Sequence, residues 1–506
     1  MGKTLRESMQ WLHTWAGLCL GTVLFAVFWM GTLSVFDREI DRWMMPATRL
    51  APAALRSVDD LARELAPSSN ASQWLVLFPS AREPVARVGY RGAGTVVSRH
   101  AAPATSTLLP EAGTLGGTGF LYPFHYNLHL KAWSLGLWIV GLAGMAMLAL
   151  CVSGVIIHRK IFSDFFTFRA RTKPRRLILD LHNVTGVLGL PFHFVITLSG
   201  LMIFFTIYFP GAWEMPYRGD RQAFVQDSYG IFGRPRLDRP GPPLASLDAM
   251  VEQASQEWGG GTPQLVRVFH PGDANAYVEV RRSFVDDRVT MPVDAVYFDA
   301  GSGAILSRHT AQPFMAAHRF ITGLHFIQFD HWLLRWLYFG LGLAGCVLIA
   351  TGFLFWLESR RKRHEQLGLA GVRMVGGLAV GSVSGIVGAT LAFFVVNRLL
   401  PPHVPPVAGI ERAELEVWGF YLVWLVSLVH AWARPGSAWR DQCLSIATLA
   451  GAALVLNAVT TGDGLWRSLV AERLWPIAGM DVALLLAAAG ALIAATKLGA
   501  PRLAGH

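Results

Sequence analysis

The stretch "RLILDLHNVTGVLGLPFHFVITLSG", residues 176–200, decides how this chain is read. It starts at a basic cluster and continues as apolar sequence long enough to cross a bilayer. Two histidines, His182 and His193, lie inside it. Eleven helical residues at about 100° each return to within about 20° of the same face, with a rise of about 16 Å. The two imidazoles therefore share one stripe of one helix, the first at its inner edge and the second near mid-membrane. An ionisable side chain at that depth is costly and points to function.

The rest of the chain has the same character. Of its 506 residues, 53% are hydrophobic and 15% charged, and the mean hydropathy is +0.39. That composition excludes an ordinary soluble enzyme. Eight candidate spans fall at roughly 11–36, 133–157, 181–208, 332–357, 372–398, 415–433, 442–460 and 479–497, each able to cover about 30 Å of hydrocarbon. The net charge of +10 would suit nucleic acid, but the Lys and Arg residues cluster in short loops beside the spans, so no nucleic-acid partner is expected. Cys19, Cys151, Cys346 and Cys443 lie in or beside the spans and read as small apolar packers. The opening "MGKTLRESMQWLHTWAGLCLG" reads as a retained anchor, and "MGKTLR" lacks the Ser or Thr that N-myristoylation prefers.

Orientation follows from the basic loops. Segment 158–176 holds seven Lys or Arg and segment 358–365 holds four. Lys3 and Arg6, Arg434 and Arg440, and Lys497 and Arg502 fall on the same side, so both termini are expected in the cytoplasm of a bacterial inner membrane. Two long segments then face outward. "WLVLF" and "VARVGYR" read as strands in the first; "QLVRVFH", "AYVEVRRSF" and "AVYFD" do so in the second. The helical stretches "SVDDLARELA" and "SLDAMVEQASQE" precede them, so each segment is expected to form a small α+β domain. The expected layout is a first span at 1–36, an outer domain at 37–130, two spans with a basic loop at 131–208, a second outer domain at 209–330, a fourth span at 331–366, and a four-helix extension at 367–506. The fold class is therefore a mainly α membrane protein: a four-helix bundle with two inserted domains and four further helices.

The first four spans contain an internal repeat. "LHTWAGLCLG" (12–21) matches "LHNVTGVLGL" (181–190), and "LHLKAWSLGLWIVGLAG" matches "LHFIQFDHWLLRWLYFGLGLAG". Ten of the sixteen histidines lie in or beside these spans: 13, 125, 129, 158, 182, 193, 318, 325, 331 and 364. His13, His158 and His182 gather at the inner surface, three candidates for two positions. His129 and His325 gather at the outer surface, with His331 close by. His129 and His158 return to nearly one face if the second helix is continuous between them. Two imidazole clusters at two depths suit a pair of stacked b-type haems, each iron taking two axial ligands. Gly17 and Gly186, one turn beyond His13 and His182, would let a flat macrocycle approach the backbone. Plainer roles stand beside this one. His158 and His364 could be solvated in basic loops, and His193 could hydrogen-bond a neighbouring helix. His100, His270, His309, His403 and His506 read as surface residues.

Other chemistries lack their signatures. There is no CxxCH for covalent haem, no GxGxxG or Walker loop, no HExxH and no Ser–His–Asp pattern. "GTLGGTG" (113–119) reads as a flexible approach to the second helix. The motifs that remain are "LHTWAGLCLG", "SGVIIHRKIFSDFFTFR", "DLHNVTGVLGLPFHFVITLSGL", "LHFIQF…GLAG…TGFLFW" and the turn "VYFDAGSGAIL". Over about residues 8–365 they resemble the PepSY-associated transmembrane family. The resemblance implies PepSY-like outer domains and a ferric-siderophore reductase with two haem b groups. It implies His13, His129, His158, His182 and His325 as axial ligands of haem iron, with His193 as a further haem-binding residue. The chain departs from the family pattern in having "FIQFDHW" after the second exit "LH", which leaves His325 and His331 both open.

The resulting expectation is an enzyme that passes electrons from a cytoplasmic or quinol donor, through two haems, to a periplasmic ferric siderophore or similar acceptor. Lys131, Arg319 and Arg335 are expected near outer propionates, and Arg159, Arg175 and Arg176 near inner ones. Two alternatives belong to other classes. In one, the outer domains bind a partner or restrain a protease and the helices only anchor them. In the other, the histidines bind a transported metal ion.

Overall fold

The structure, a computed structural model, describes residues 4–65, 71–92, 96–158, 174–283, 290, 294–310, 312–329, 331–401, 406 and 409–499. Lys3, Arg159, Arg502, Asp330, His403, His506 and the loop 159–173 lie outside the described residues. Among the described residues, eight helices are long and apolar enough to cross a membrane. We label them α1 (Leu5–Ser34), α2 (Leu135–Ile157), α3 (Pro174–Ile203), α4 (Trp332–Gln366), α5 (Gly371–Leu399), α6 (Arg412–Ala433), α7 (Ala438–Thr461) and α8 (Trp475–Gly499). The protein is thus a multi-pass membrane protein, in agreement with the hydropathy pattern. The chain divides into two compact units: residues 1–46, 113–198 and 333–506, and residues 47–112 and 199–332.

In the helical unit, α5 is the central helix. Its most apolar window is 83% buried, whereas the other seven spans range from 17% to 33%. Small residues make this burial possible: Gly377, Gly381 and Gly385 each sit where a Cβ would strike Trp432, Leu428 or Ser427. A π-helical turn at Gly381–Gly385 interrupts the α-helical ladder, and Trp424 Nε1 donates to the Gly381 carbonyl at 2.9 Å. Trp29 Nε1 of α1 donates to Thr390 Oγ1 at 3.0 Å, tying α5 to the first span.

Residues 37–46 and 113–130, expected in the first outer domain, belong to the helical unit. The short helix Asp37–Met44 looks polar enough for water, yet Asp37, Glu39, Asp41 and Arg42 are all buried. Their partners lie within the same unit. Glu39 accepts from Arg335 Nη2 at 2.9 Å, and Arg42 Nη2 donates to the Arg473 carbonyl at 2.6 Å. Charge read along the sequence is therefore misleading when each charge has a buried partner.

Among the described residues, the second unit holds one antiparallel sheet of eight strands in the order β4-β3-β2-β1-β5-β6-β7-β8. Strands β1 (Gln73–Leu77), β2 (Ala86–Arg91), β3 (Val96–Ala102) and β4 (Thr107–Leu108) come from the first segment. Strands β5 (Pro263–Phe269), β6 (Tyr277–Arg282), β7 (Ala295–Asp299) and β8 (Ile305–His309) come from the second. The expectation of two separate domains is corrected here. β1 pairs with β5 along its whole length, from Gln73 opposite Phe269 to Leu77 opposite Leu265. One core runs through both halves, with Val76, Val88, Val266, Val278 and Phe298 packed under Leu61 and Met250.

The two covering helices, Val58–Leu65 and Leu247–Glu257, exchange caps. Asp248 accepts from Ser57 Oγ at 2.6 Å and from the Val58 N–H at 2.7 Å. Asp59 accepts from Ser246 Oγ at 2.7 Å and from the Leu247 N–H at 2.6 Å. Each helix thus satisfies the open N–H groups of the other. A half-domain alone would leave β1 or β5 as a bare edge and one helix end uncapped.

Candidate functional site

His13 of α1 and His182 of α3 meet in the helical unit, with ring centroids 6.4 Å apart and planes crossed at 86°. Their surroundings repeat. His13 Nδ1 lies 3.0 Å from Ser153 Oγ on α2, and that hydroxyl donates to the Leu150 carbonyl at 3.2 Å. His182 Nδ1 lies 3.2 Å from Thr351 Oγ1 on α4 and 3.0 Å from the Leu348 carbonyl. Each hydroxyl residue is followed by a glycine, Gly154 or Gly352, at which a Cβ would come 3.5 Å from the imidazole Cε1. Both histidines therefore have Nδ1 engaged by the neighbouring helix. Neutral imidazole in this form offers the Nε2 lone pair to a metal, with its orientation set by the bond at Nδ1.

The remaining sequence-predicted residues have varied settings. His158 ends α2, its backbone N–H on the Gly154 carbonyl at 3.2 Å. His193 is buried against Phe28 at 5.7 Å, and its Nε2 lies 3.2 Å from the Leu341 carbonyl of α4. That contact is the interhelical hydrogen bond given above as the plainer role. His129 is not on α2, so the continuous helix from His129 to His158 does not form. Leu128, His129, Trp133 and Ser134 all have positive φ, and the chain turns before α2 begins at Leu135. The His129 ring stacks on Phe120 at 4.9 Å, and its Nε2 lies 2.9 Å from the Phe120 carbonyl. In the sheet unit, His325 Nδ1 lies 3.3 Å from Ser199 Oγ, while His331 is exposed.

A residue outside the expected ligand set stands out. His125 Nδ1 lies 2.7 Å from the Val27 carbonyl of α1, and the ring sits on Gly31, where a Cβ would come 2.6 Å from Cε1. His325 sits on Gly200 in the same way, with a Cβ-to-Cε1 separation of 2.7 Å. Gly31 and Gly200 each lie eighteen residues beyond the "LH" histidine of their helix, His13 and His182. The repeat therefore equates His125 with His325. Matching the "LH" dipeptides pairs His325 with His129 instead, whereas the glycine spacing pairs it with His125.

The cations expected at propionates are mostly engaged. Arg335 is 1% exposed, paired with Glu39 and placed over the Phe36 ring at 4.8 Å. Arg176 pairs with Asp180 at 2.9 Å, and Arg175 lies 5.8 Å over Phe355. Lys131 is exposed. Arg319 is buried; its Nη2 lies 3.4 Å from His309 Nε2, and its Nε and Nη1 have no partner among the described residues. Burial, followed by the Arg319 charge, holds the His309 imidazole below its ordinary pKa, consistent with its accepting from the guanidinium.

Eight spans, a repeated pair of histidine cradles and a single antiparallel sheet define a multi-pass membrane protein built on an internal duplication. The chain belongs to the family described as the PepSY-associated TM region, whose profile matches residues 10–359. It is also 30% identical over 319 residues to a Pseudomonas aeruginosa protein named "Uncharacterized protein PA4219", a match covering 59% of this chain and 76% of that one. Helices α5–α8 lie beyond the family match.

Proposed function

We propose that this protein carries electrons across the bacterial inner membrane through two b-type haems and delivers them to a periplasmic ferric chelate such as a siderophore. The observation that carries this reading is the His13–His182 pair. With ring centroids 6.4 Å apart, both imidazoles would be able to hold one haem iron. Crossed ring planes let each imidazole keep its own hydroxyl partner, Ser153 or Thr351. The donor set fits haem better than a bare ion: among the described residues no group of three or more His, Cys, Asp or Glu could hold a metal.

His13 and His182 would hold the first haem, and His125, the counterpart of His325 in the repeat, would be a ligand of the second. Bound haem supplies a one-electron couple. The chain's own residues do the rest. Ser153 and Thr351 fix which imidazole nitrogen is available, and Gly154 and Gly352 clear space beside the rings. The Leu150 carbonyl accepts from Ser153, and the Leu348 carbonyl lies 3.0 Å from His182 Nδ1, so the backbone helps to orient both cradles. A quinol or reduced flavin gives up two electrons and two protons, enough to convert two ferric chelates to ferrous ones. Oxygen-rich chelators hold Fe(II) less tightly, so iron is released. The basic groups Arg6, Arg360, Arg361 and Arg363, with Arg434 and Arg440, support a cytoplasmic N-terminus.

The test is a reduced-minus-oxidised absorption spectrum of protein purified after expression with haem supplied. Two b-type components are expected, together with dithionite-driven reduction of a ferric hydroxamate by the loaded protein in vesicles. A colourless protein under those conditions would leave the sheet as a membrane-anchored binding module.

A further inference from the structure

We infer that the extension α5–α8 is the mould that positions His125, with Glu416 and Phe420 as positioning residues for the second haem; this rests on the di-haem reading above. His125 is carried by a helical segment, Gly117–Asn127, whose Phe120 and Phe124 rings pack on the extension. At its entrance, Thr114 Oγ1 donates to Glu416, and Arg412 Nη1 donates to the Gly113 carbonyl at 2.7 Å. Glu416 is fully buried and also accepts from Asn397 Nδ2 at 2.9 Å and from Arg412 Nη1 at 2.8 Å. At the first helical turn, Asp41 accepts from the Gly117 N–H at 2.7 Å and from Thr118 Oγ1 at 2.5 Å.

The helix bearing Asp41 is itself held by the extension. Arg398 donates to the Trp43 carbonyl, and Trp43 Nε1 donates to Asp481 Oδ1 at 2.8 Å. Further along, Phe120 packs on Phe393 at 4.7 Å and on Phe420 at 5.1 Å. Phe124, adjacent to His125, packs on Phe420 at 5.7 Å and on Trp424 at 6.0 Å. Every one of Phe393, Glu416, Phe420, Trp424 and Asp481 lies in α5, α6 or α8.

Aromatic packing alone would hold the segment loosely, because ring faces can slide. A buried carboxylate with several fixed donors admits one register, since any slip leaves a charge without its partners. The Gly31 cradle then leaves His125 little freedom against α1. His13 and His182 are held at Nδ1 by α2 and α4.

The experiment uses the full-length haem-loaded protein and follows each haem component separately by redox titration and by low-temperature paramagnetic resonance. Thr114→Val and Phe420→Leu should change the oxidised-to-reduced ratio of the second component on the order of fivefold at fixed potential, the weight of one buried hydrogen bond. They should also shift its resonance and leave the His13–His182 component unmoved. Thr114→Ser should restore the parent values. His125→Ala should remove the second component entirely. If His125→Ala removes one component while both extension variants leave it unchanged, the mould is wrong and the di-haem reading stands. If the variants move both components together, they loosen the whole bundle and the inference fails. If His125→Ala leaves two components, the ligand assignment falls and the inference falls with it.

Discussion

The two histidine cradles on α1 are built differently. At His13 the supporting groups are Ser153 on α2 and, for its partner His182, Thr351 on α4. All four come from the duplicated helices. At His125 the cradle is Gly31 of α1, but the supporting frame comes from α5, α6 and α8. A site made by the repeat alone can be read from the repeat; a site braced by added helices cannot. The separations at the glycines point the same way. A Cβ at Gly154 or Gly352 would make an ordinary contact at 3.5 Å, whereas one at Gly31 would come 2.6 Å from the His125 ring.

The sharpest way to break this comparison is to remove a ligand. On the proposed di-haem reading, His182→Ala should halve the haem bound per protein, from two to one, as measured by pyridine haemochrome. Retention of both would sink the His13–His182 site. Next in size, Gly31→Ala should displace His125 and lose or convert the second component, while Gly154→Ala should leave the first in place. Equal effects at the two glycines would erase the distinction between tight and roomy cradles.

Smaller changes sharpen it further. Ser153→Ala and Thr351→Val each remove one bond at Nδ1 and should move the midpoint of the first haem by about 20–60 mV, the electrical equivalent of roughly 0.5–1.5 kcal/mol for one electron. The second component should not follow. Away from the histidine cradles, Asp59→Ala or Asp248→Ala should each cost the sheet about 0.5–2 kcal/mol, since each removes a helix cap. Thermal unfolding of the sheet would report the loss, and an unchanged transition would show that the exchanged caps are dispensable.

Hydropathy and length revealed the eight spans because lipid tolerates few alternatives to an apolar helix. The pair His13 and His182 was legible in the repeated "LH" with Gly four residues on. The correspondence of His125 with His325 was obscured because "LHL" at 128–130 mimics the second-half "LHF" at 324–326, although the turn at Leu128–Ser134 separates His129 from α2. The single sheet was hidden for a different reason. β1 and β5 are paired across more than 180 residues of sequence, and strand patterns reveal faces rather than partners. The buried Asp41, Glu416 and Asp481 resemble solvent-facing charges until their donors are seen.

The exchanged caps and the β1–β5 pairing also fix a matter of topology. Residues 57–65 and 247–257 touch directly, so both halves of the sheet must occupy the same compartment. The chain between them must therefore leave that compartment and come back, which commits α2 and α3 to one crossing each, in opposite directions. Whichever way the protein is inserted, the first half has to wait, unfinished, until the second has been delivered to its side of the bilayer.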